Sequence, residues 1–433
     1  MSSRPTTWLL LLSLGCALGG CDELIKTTNP RFANGGLLRT AERAPQAALD
    51  QLQGIFDTVE GSDLIGSDAV TKTSANTFSI FYSTEAGYIV LEAGCLEQED
   101  GMRLVLEGYW RYALTSRAGL VRLDVQPATL AAQLCKGETP TDKSKLQLTG
   151  LYGNEDHAPI IPLTLKYKKD LIPYIGKFLV AGHHGACPNY SDCGASINSI
   201  ETMRLMPGVG ADVAEVDVRV TKDGVPILYH DPFFGSSMTE GRYCNGKIVD
   251  LTWAGIQANC RLTYGEEVPT LDDALRAAVE ETGLRGVWLD IKDSAAIPQS
   301  MKLVQKYNAY AKEKGRSFVA VVGLPTEDCT TAWLAQPEAD RQATPCLLEY
   351  DPNIVKSTGC FVWGPTWTAG PRPTDVHNVQ NQGLAAIFWT VNGVDYTQLF
   401  LEESLPNGFV SDRPSQAFYL YQMNGKVPMG GFQ

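Results

Sequence analysis

Several features are scarce or missing in this sequence of 433 residues, and each absence excludes a class of protein. Basic residues are outnumbered, with 36 Lys and Arg against 49 Asp and Glu and a net charge of -13, so nothing favours a polyanionic partner such as nucleic acid. No CxxC or Cys/His spacing typical of a zinc finger occurs, which argues against a cysteine-bound zinc. The apolar run over residues 8–20 is shorter than the roughly 20 residues that a membrane-spanning helix needs.

That short apolar run has the pattern of a secretion signal. Arg4 precedes it, and it ends in the residues LGGC at Cys21, which resemble a bacterial lipobox, where small residues precede a cysteine that is lipidated. The pattern predicts a lipoprotein signal peptide over residues 1–21 and an exported protein of the bacterial cell envelope, periplasmic or on the outer surface, held at the membrane by a lipid on Cys21. An ordinary secretory signal in which Cys21 is incidental is the alternative.

Eleven cysteines suit an exported chain, because disulfides form and persist outside the reducing cytosol. With Cys16 and Cys21 of the signal set aside, neighbours in sequence suggest four pairs and leave Cys360 free, although sequence alone does not determine the connectivity. The suggested pairs are Cys95 with Cys135, Cys187 with Cys193, Cys244 with Cys260, and Cys329 with Cys346.

The length and the hydrophobic content of 44% predict more than one domain. Residues 22–44 are polar and irregular, as expected of a tether. Residues 45–170 open with a predicted helix over 45–56 and continue with short apolar runs between Gly and polar turns, which predicts a small, mainly antiparallel β domain, either a sandwich or a barrel. Its aromatic residues Tyr109, Trp110 and Tyr112 could line a ligand site, but core packing is the better interpretation.

Over residues 171–433 the pattern changes to short buried strands that alternate with helical segments, which predicts a parallel β/α architecture. Predicted helices include Leu271–Glu281, with Thr270 as its N-cap, and Met301–Lys314. Eight candidate strands match a (β/α)8 TIM barrel of the usual size. They lie at residues 178–182, 213–220, 286–291, 317–322, 346–350, 360–363, 385–391 and 408–411.

Polar residues follow or end several of these strands, which is where TIM barrels place catalytic groups. Glu215 and Asp217 are two residues apart, so on one strand both point to the same face and could hold one cation. The other candidates at strand ends are His183, Asp290, Lys292 and Trp389.

A hairpin is predicted at Asp223-Gly224, because this dipeptide favours the positive φ angles of a tight two-residue turn. Such a turn would place His230 directly opposite Asp217. Opposed side chains share a face at roughly 4.5 to 5.5 Å, so the hairpin would bring His230 to the carboxylates.

Between about residues 180 and 414 the chain resembles the glycerophosphodiester phosphodiesterase family, within the superfamily of phospholipase C-like phosphodiesterase barrels. Nine motifs match in the family's order, which is far more specific than any single motif. They are His183-His184-Gly185, Gly210-Ala211-Asp212, Glu215-Val216-Asp217-Val218, Thr221-Lys222-Asp223-Gly224, His230-Asp231, Val268-Pro269-Thr270-Leu271, Asp290-Ile291-Lys292, Trp389-Thr390-Val391-Asn392 and Ser411-Asp412-Arg413-Pro414.

The resemblance implies a (β/α)8 barrel with an insertion over about residues 233–264, and metal-dependent hydrolysis of glycerophosphodiesters to glycerol 3-phosphate and an alcohol. It implies one divalent cation, Ca2+ or Mg2+, which suits ligands that are all oxygen atoms. The roles carried over are general acid and base for His183 and His230, metal ligands for Glu215, Asp217 and Asp290, and substrate binding for His184, Lys292 and Trp389.

The chain departs from the family pattern at three positions. His184 replaces an arginine that would bind phosphate with two donors, Ile197 replaces a glutamate, and Asp290 replaces the glutamate of Glu-x-Lys. The Asp-x-Lys form also resembles sphingomyelinase D-type phospholipases, so headgroup release from lipids is one alternative function. A non-catalytic envelope lipoprotein is another.

Some single residues also have a structural explanation. Lys292 could form a salt bridge to Asp290, and Trp389 could pack within the barrel. His157 and His377 lie outside the motifs and are predicted to be surface residues.

Overall fold

The computed structural model of this protein describes residues 27–75, 77–99, 101–185 and 194–432. The predicted signal peptide, Cys21 and the predicted pair Cys187 and Cys193 lie outside the described residues. Among the helices within these ranges, none combines the length and the apolar character required to cross a bilayer.

The N-terminal domain is a closed, eight-stranded antiparallel barrel. Its strands β2 to β9 follow one another around the ring in chain order, and β9 pairs back with β2. Because each of these strands has two neighbours, the ring leaves no free edge, and the domain is a barrel rather than a sandwich. The strands are β1 Glu42–Arg43, β2 Gly54–Glu60, β3 Asp68–Ser74, β4 Thr77–Phe81, β5 Tyr88–Gln98, β6 Gly101–Arg111, β7 Ala118–Gln126, β8 Gln147–Tyr152 and β9 Ile161–Lys169, and the helices are α1 Gln46–Gln51, α2 Ser62–Ile65 and α3 Ala128–Cys135.

Apolar side chains fill the interior of this β barrel. Trp110 and Tyr112 are buried in that core, which confirms the interpretation of these two residues as packing. Tyr109, on the opposite face of β6, packs instead against the core of the second domain. The predicted helix over residues 45–56 is too long, because α1 ends at Gln51 and β2 begins at Gly54.

The described part of the predicted tether is folded against the rest of the protein. The buried Glu107 carboxylate accepts hydrogen bonds from the backbone N–H groups of Leu37 and Leu38, at 2.7 and 3.1 Å. Asn29 Nδ2 donates to the Tyr109 hydroxyl, and Ala44 is buried. Distant partners thus satisfy polar backbone groups in the described part of the segment predicted as a tether.

The C-terminal domain is a parallel barrel of eight strands in the closed order β10-β22-β21-β20-β19-β18-β17-β11, as predicted. The short strand β12 extends the sheet as an antiparallel hairpin partner of β11. The strands are β10 Leu179–Gly182, β11 Val213–Val220, β12 Pro226–Leu228, β13 Phe233–Phe234, β14 Thr239–Glu240, β15 Gly246–Lys247, β16 Arg261–Leu262, β17 Gly286–Ile291, β18 Val319–Leu324, β19 Cys346–Leu348, β20 Val362–Trp363, β21 Ala385–Phe388 and β22 Gly408–Ser411.

Helices surround this parallel barrel and cover its outer face. Helix α6 has the predicted bounds, and the hydroxyl of its N-cap Thr270 accepts a hydrogen bond from Asp273 N at 3.1 Å. Helix α7 begins four residues earlier than predicted, with a proline in its first turn. The helices are α4 Ile200–Leu205, α5 Trp253–Asn259, α6 Leu271–Glu281, α7 Ile297–Glu313, α8 Glu327–Leu334, α9 Glu338–Ala343, α10 Pro373–Asn381, α11 Val394–Glu403 and α12 Pro414–Asn424.

Two strand predictions are too long at their carboxyl ends. Strand β19 ends at Leu348 and β21 ends at Phe388, where the chain leaves the sheet. The residues that follow, Glu349 and Trp389, line a cavity at that end of the barrel. The apolar pattern continues past the strand because these loops remain partly buried, so composition alone does not show where pairing stops.

The predicted register of the β11–β12 hairpin is wrong by one residue. Val218 pairs with Leu228, and Tyr229, not His230, lies opposite Asp217, with Tyr229 N donating to Asp217 O at 3.0 Å. The loop has three residues, 222–224, closed by a hydrogen bond from Thr221 N to Val225 O, and Gly224 has φ 79°. A turn followed by a left-handed glycine accommodates one residue more than the predicted two-residue turn.

The structure confirms two predicted disulfides, Cys95–Cys135 and Cys244–Cys260. The predicted pairing of Cys329 with Cys346 is wrong, because Cys346 is bonded to Cys360. Cys346 begins β19, and Phe361 N donates to Cys346 O where the chain enters the neighbouring strand β20, so these two cysteines are adjacent across the sheet. Among the cysteines that the structure describes, Cys329 on α8 is free and buried, so the prediction that Cys360 is free is also wrong.

A buried ion pair joins the two domains. Lys72 Nζ, on β3, lies 2.8 Å from Asp212 Oδ1 and 3.0 Å from Gly210 O, and both charged side chains are less than 5% exposed. The Lys72 ammonium also lies 4.4 Å from the centre of the Phe418 ring. Burial lowers the pKa of Lys72, and the Asp212 carboxylate opposes that shift.

Replacing Lys72 by methionine is expected to lower the free energy of unfolding by about 3–5 kcal/mol, because Asp212 would remain buried without its cation. The matched control is Lys168→Met, which removes a lysine from exposed pairs with Asp57 and Asp68 and is expected to cost at most about 1 kcal/mol. Denaturant unfolding measures both variants. An equal loss of unfolding free energy in the two variants would show that the buried Lys72–Asp212 pair stabilises the protein no more than the pairs of Lys168 do.

Candidate active site

The strands of the parallel barrel bring all eight predicted site residues to its carboxyl end. A cavity of about 530 Å³ opens there, and the Asp217 side chain lies beneath its surface with no exposure. The predicted residues that line the cavity are His183, His184, Glu215, His230, Asp290, Lys292 and Trp389. His157 and His377 are exposed elsewhere, as expected.

Strand pairing explains how three carboxylates meet. In the parallel pair β11–β17, Asp217 is the direct partner of Asp290, and Glu215 lies two residues earlier on the same face of β11. One oxygen from each of these three carboxylates lies within 4.8 Å of the others. Three hard oxygen ligands at this spacing can hold one divalent cation such as Mg2+ or Ca2+.

The electrostatics of this carboxylate cluster also fit a cation. Burial raises the pKa of Glu215 well above its ordinary value, and the nearby Asp217 and Asp290 raise it further. The Asp290 Oδ1 atom is buried and has no hydrogen-bond partner among the described residues. Buried anions without partners are costly, so these residues fit a divalent metal.

Replacing Glu215 by glutamine is expected to stabilise the metal-free protein at neutral pH. With its raised folded pKa, Glu215 contributes stability below its unfolded value near 4.5, and that contribution is lost as the pH rises through the folded value. The free energy of unfolding of Glu215→Gln is expected to exceed that of the wild type by about 1.4 kcal/mol for each pH unit between the unfolded pKa and either the folded pKa or the measurement pH, whichever is lower. Thermal unfolding in chelator from pH 5 to 8 measures this difference. An identical pH profile in the wild type and Glu215→Gln would contradict the raised pKa of Glu215.

Lys292 lies between two of the three carboxylates. Its Nζ is 3.0 Å from Asp217 Oδ1 and donates a hydrogen bond to Asp290 Oδ2. Burial acts to lower the pKa of Lys292, but Asp217 and Asp290 outweigh it and the pKa is raised. The ammonium is therefore charged, and because it remains 22% exposed toward the cavity it can also contact an anionic ligand.

His183 is oriented by a carboxylate from the last strand of the barrel. Its Nδ1 donates to Asp412 Oδ1 at 2.7 Å, which leaves Nε2 available to the cavity. Asn392 Nδ2 donates to the other Asp412 oxygen. Burial acts to raise the pKa of Asp412, but the His183 hydrogen bond opposes it, and the net pKa is lowered.

His230 has the same kind of support. Its Nδ1 donates to Asp231 Oδ1 at 2.8 Å, and its backbone carbonyl accepts from Arg219 Nε. Although the predicted register is wrong, His230 reaches the site, because β12 ends at Leu228 and the chain then turns toward the carboxylates. Ligand atoms of His230, His184 and Asp217 lie within 4.8 Å of one another.

His184 occupies the position between these two histidines. Its ring centre is 3.6 Å from that of His183 and 4.9 Å from that of His230, and its Nε2 is 3.2 Å from Asp217 Oδ2. Its backbone N–H donates to Glu215 Oε2 at 3.0 Å. Burial lowers the pKa of His184, although Asp217 opposes the shift.

Sequence reasoning missed several residues that hold or surround the site. Asp412, Asp231 and Asn392 stood inside the matched motifs without an assigned role. Asn198, next to the departing position Ile197, was given no role, yet its side chain donates to Asp217 Oδ2 at 2.6 Å and accepts from Asp217 N at 3.0 Å. Glu349 also lines the cavity, and neither a motif nor a spacing pointed to it.

A sequence model of the Glycerophosphoryl diester phosphodiesterase family matches residues 183–416, more than half of the chain and all within the parallel barrel domain. The chain belongs to this family. The predicted family and the prediction of a phosphodiesterase enzyme are thereby confirmed.

A curated relative, "Probable glycerophosphodiester phosphodiesterase 2" of Mycobacterium tuberculosis, is 24% identical over 230 residues, which are 50% of this chain and 82% of the relative. Solved structures with some similarity include a glycerophosphodiester phosphodiesterase from Parabacteroides distasonis, at 18% identity and a TM-score of 0.46 over 58% of this chain and 99% of that one. Another is a phosphodiesterase from Oleispira antarctica in complex with the product sn-glycerol-3-phosphate, at 16% identity and a TM-score of 0.43 over 57% and 98%.

Proposed function

We propose that this glycerophosphoryl diester phosphodiesterase family member hydrolyses glycerophosphodiesters to glycerol 3-phosphate and an alcohol with the help of one divalent cation. The observation that carries the proposal is the carboxylate cluster of Glu215, Asp217 and Asp290 beside two histidines, His183 and His230. A cation bound there would neutralise charge on the phosphodiester.

The two histidines can exchange protons with the attacking and leaving oxygens of the phosphodiester. Each donates Nδ1–H to an aspartate, Asp412 or Asp231, and therefore presents Nε2 to the cavity. Neutral imidazole accepts a proton near neutral pH, and protonated imidazole donates one, so the pair can serve as general base and general acid.

Lys292 is the cationic side chain best placed to bind a phosphate oxygen, because it is charged and partly exposed to the cavity. His184 Nε2 is already engaged by Asp217, so we assign His184 first to positioning that carboxylate. A phosphate contact by His184 stays a prediction. Trp389 lines the cavity with its indole N–H bound to Gly364 O at 2.6 Å, which holds the ring as a wall for the substrate.

Product analysis tests this function directly. The purified protein is incubated with glycerophosphocholine, lysophosphatidylcholine or sphingomyelin, with and without added Ca2+ or Mg2+. Glycerol 3-phosphate released from glycerophosphocholine supports the proposal. Choline released from lysophosphatidylcholine, with no glycerol 3-phosphate from glycerophosphocholine, would instead identify a headgroup-releasing phospholipase, the alternative suggested by the Asp-x-Lys form at Asp290. Intact substrates in all reactions would favour a non-catalytic lipoprotein.

We also propose that the protein is exported and lipid-anchored in a bacterial cell envelope. The disulfides Cys95–Cys135, Cys244–Cys260 and Cys346–Cys360 support an oxidising compartment. Radiolabelled palmitate is expected to enter the wild-type protein and the control Cys16→Ser, but not Cys21→Ser. Label that persists in Cys21→Ser would refute the anchor at Cys21.

A further inference from the structure

Glu349 is a buried carboxylate in the active-site cavity that the proposed chemistry does not use. It follows β19 directly, is 7% exposed and lines the same cavity as the two catalytic histidines. Within the described ranges of the chain, no Lys, Arg or His side chain lies within ion-pair distance of it. Burial raises the pKa of Glu349 well above its ordinary value, and Asp290 adds to the shift. A buried anion of this kind is costly unless a cation accompanies it.

A second metal ion does not fit this position. The three clusters of potential ligands in the described part of the chain draw on His183, His184, Glu215, Asp217, His230 and Asp290, and none includes Glu349. A single carboxylate supplies too few ligands for Ca2+ or Mg2+, which take six or more oxygen atoms. The cation that suits Glu349 is therefore one that needs few directed ligands.

Two indole rings, those of Trp288 and Trp389, line the same cavity as Glu349. Trp288, on β17, is 3% exposed, and its indole N–H lies close enough to Glu349 to act to lower the pKa of that carboxyl, against the larger effect of burial. Two glycines make room for this indole. A Cβ at Gly364 would lie 2.8 Å from the Trp288 ring, and a Cβ at Gly323 would lie 3.0 Å from Trp288 Nε1 and 3.4 Å from Glu349 Oε1. The indole of Trp389 forms another part of the cavity wall.

Glu349 and His183 lie on opposite sides of the barrel. In the ring order, β19 lies directly across from β10, which carries His183, and the metal-binding carboxylates are on β11 and β17. A phosphodiester bound between the carboxylate cluster and His183 therefore has one ester arm that can extend across the cavity toward Glu349.

We propose that Glu349, with the indole rings of Trp288 and Trp389, forms a subsite for a cationic headgroup, an ammonium alcohol such as choline or ethanolamine esterified to the phosphate. A carboxylate supplies the counter-charge, and indole faces attract ammonium groups that carry few or no hydrogen-bond donors. The inference rests on the proposed phosphodiesterase function and names the class of its substrate. It makes Glu349 a specificity residue that distinguishes charged from neutral headgroups.

The test compares two substrates in three proteins. For Glu349→Gln, kcat/KM on glycerophosphocholine is expected to fall about 10- to 100-fold, the usual loss when a desolvated charge partner is removed, while kcat/KM on glycerophosphoglycerol changes less than about 3-fold. Glu349→Asp keeps the charge and is expected to recover part of the loss. The matched control is Glu327→Gln, which makes the same change at an exposed carboxylate on the first residue of α8 and leaves both substrates unaffected. An equal loss on both substrates, or none on glycerophosphocholine, would overturn the proposal.

A binding measurement separates this proposal from the proposed function. Choline alone is titrated against the purified protein while tryptophan fluorescence is followed. Saturable quenching in the wild type that is lost in Glu349→Gln supports the subsite even if neither substrate is hydrolysed, in which case the phosphodiesterase proposal alone fails. No choline-dependent quenching in the wild type, together with equal hydrolysis of both substrates, would overturn the subsite and leave the phosphodiesterase proposal intact.

Discussion

The variant His183→Ala is expected to lower kcat for glycerophosphodiester hydrolysis by about 100- to 10,000-fold, the range for loss of a general acid or base. The carboxylate that orients His183, Asp412, is itself held by a further residue, Asn392. Removal of the imidazole leaves no other group in its place, because His184 Nε2 is engaged by Asp217. Steady-state kinetics on glycerophosphocholine at saturating metal measures the loss.

The control for His183→Ala is His157→Ala, since His157 is 79% exposed and contacts its own turn. That variant is expected to keep wild-type activity. Asp412→Asn provides a second comparison, because it retains the shape of the side chain but weakens its hold on the His183 imidazolium. We expect it to reduce kcat less than His183→Ala and to leave KM nearly unchanged. A His183→Ala enzyme within about threefold of the wild type would exclude His183 from the proton transfers.

Removal of divalent cations is expected to abolish activity and to lower the melting temperature at the same time. Glu215, Asp217 and Asp290 converge within 4.8 Å, with Lys292 as their positively charged contact. Cation binding to the folded state adds about 2.7 kcal/mol of stability at a free concentration of 100 times Kd. Activity assays and thermal unfolding after treatment with EDTA, followed by titration with Ca2+ and Mg2+ separately, measure both effects and identify the preferred ion.

The test variant for the metal site is Asp217→Asn, which keeps the size of the side chain but removes a central carboxylate, and Glu327→Gln is its control. We expect the melting temperature of Asp217→Asn to respond little to added cation, while Glu327→Gln should respond like the wild type. Full activity in EDTA, or an equal thermal shift in Asp217→Asn, would refute the proposed ligands.

Most of the parallel barrel could be predicted because its strands are short apolar runs with clear boundaries. Val213–Val220, Gly286–Ile291 and Gly408–Ser411 have the predicted bounds. Predictions that depended on loop geometry were less accurate. The hairpin at Asp223-Gly224 has one more loop residue than predicted, which shifts the register by one residue. Because a β-strand alternates its faces at every residue, this shift moves each side chain of β12 to the opposite face from the one predicted.

One disulfide also could not be predicted from the sequence. The bonded partner of Cys346 is Cys360, at a sequence separation of 14 residues, and not the predicted partner Cys329. The two bonded cysteines meet because β19 and β20 are neighbouring strands, and their Cα atoms are 4.6 Å apart. Cys329 and Cys360 lie at similar distances from Cys346 in sequence, so spacing did not distinguish the two candidate partners.

The sequence by itself determined the features that depend on local backbone periodicity. Glu215 and Asp217 share a face because alternate residues of a strand do, and the ordered motifs identified the family and its histidines. The tertiary structure decided which distant residues meet. The pairing of Asp217 with Asp290, the support of His183 by Asp412, and the placement of Glu349 in the cavity lined by Trp288 and Trp389 all follow from closure of the barrel. Closure of the barrel determines the distances between residues on strands that are far apart in the chain, and a local sequence pattern does not contain these distances.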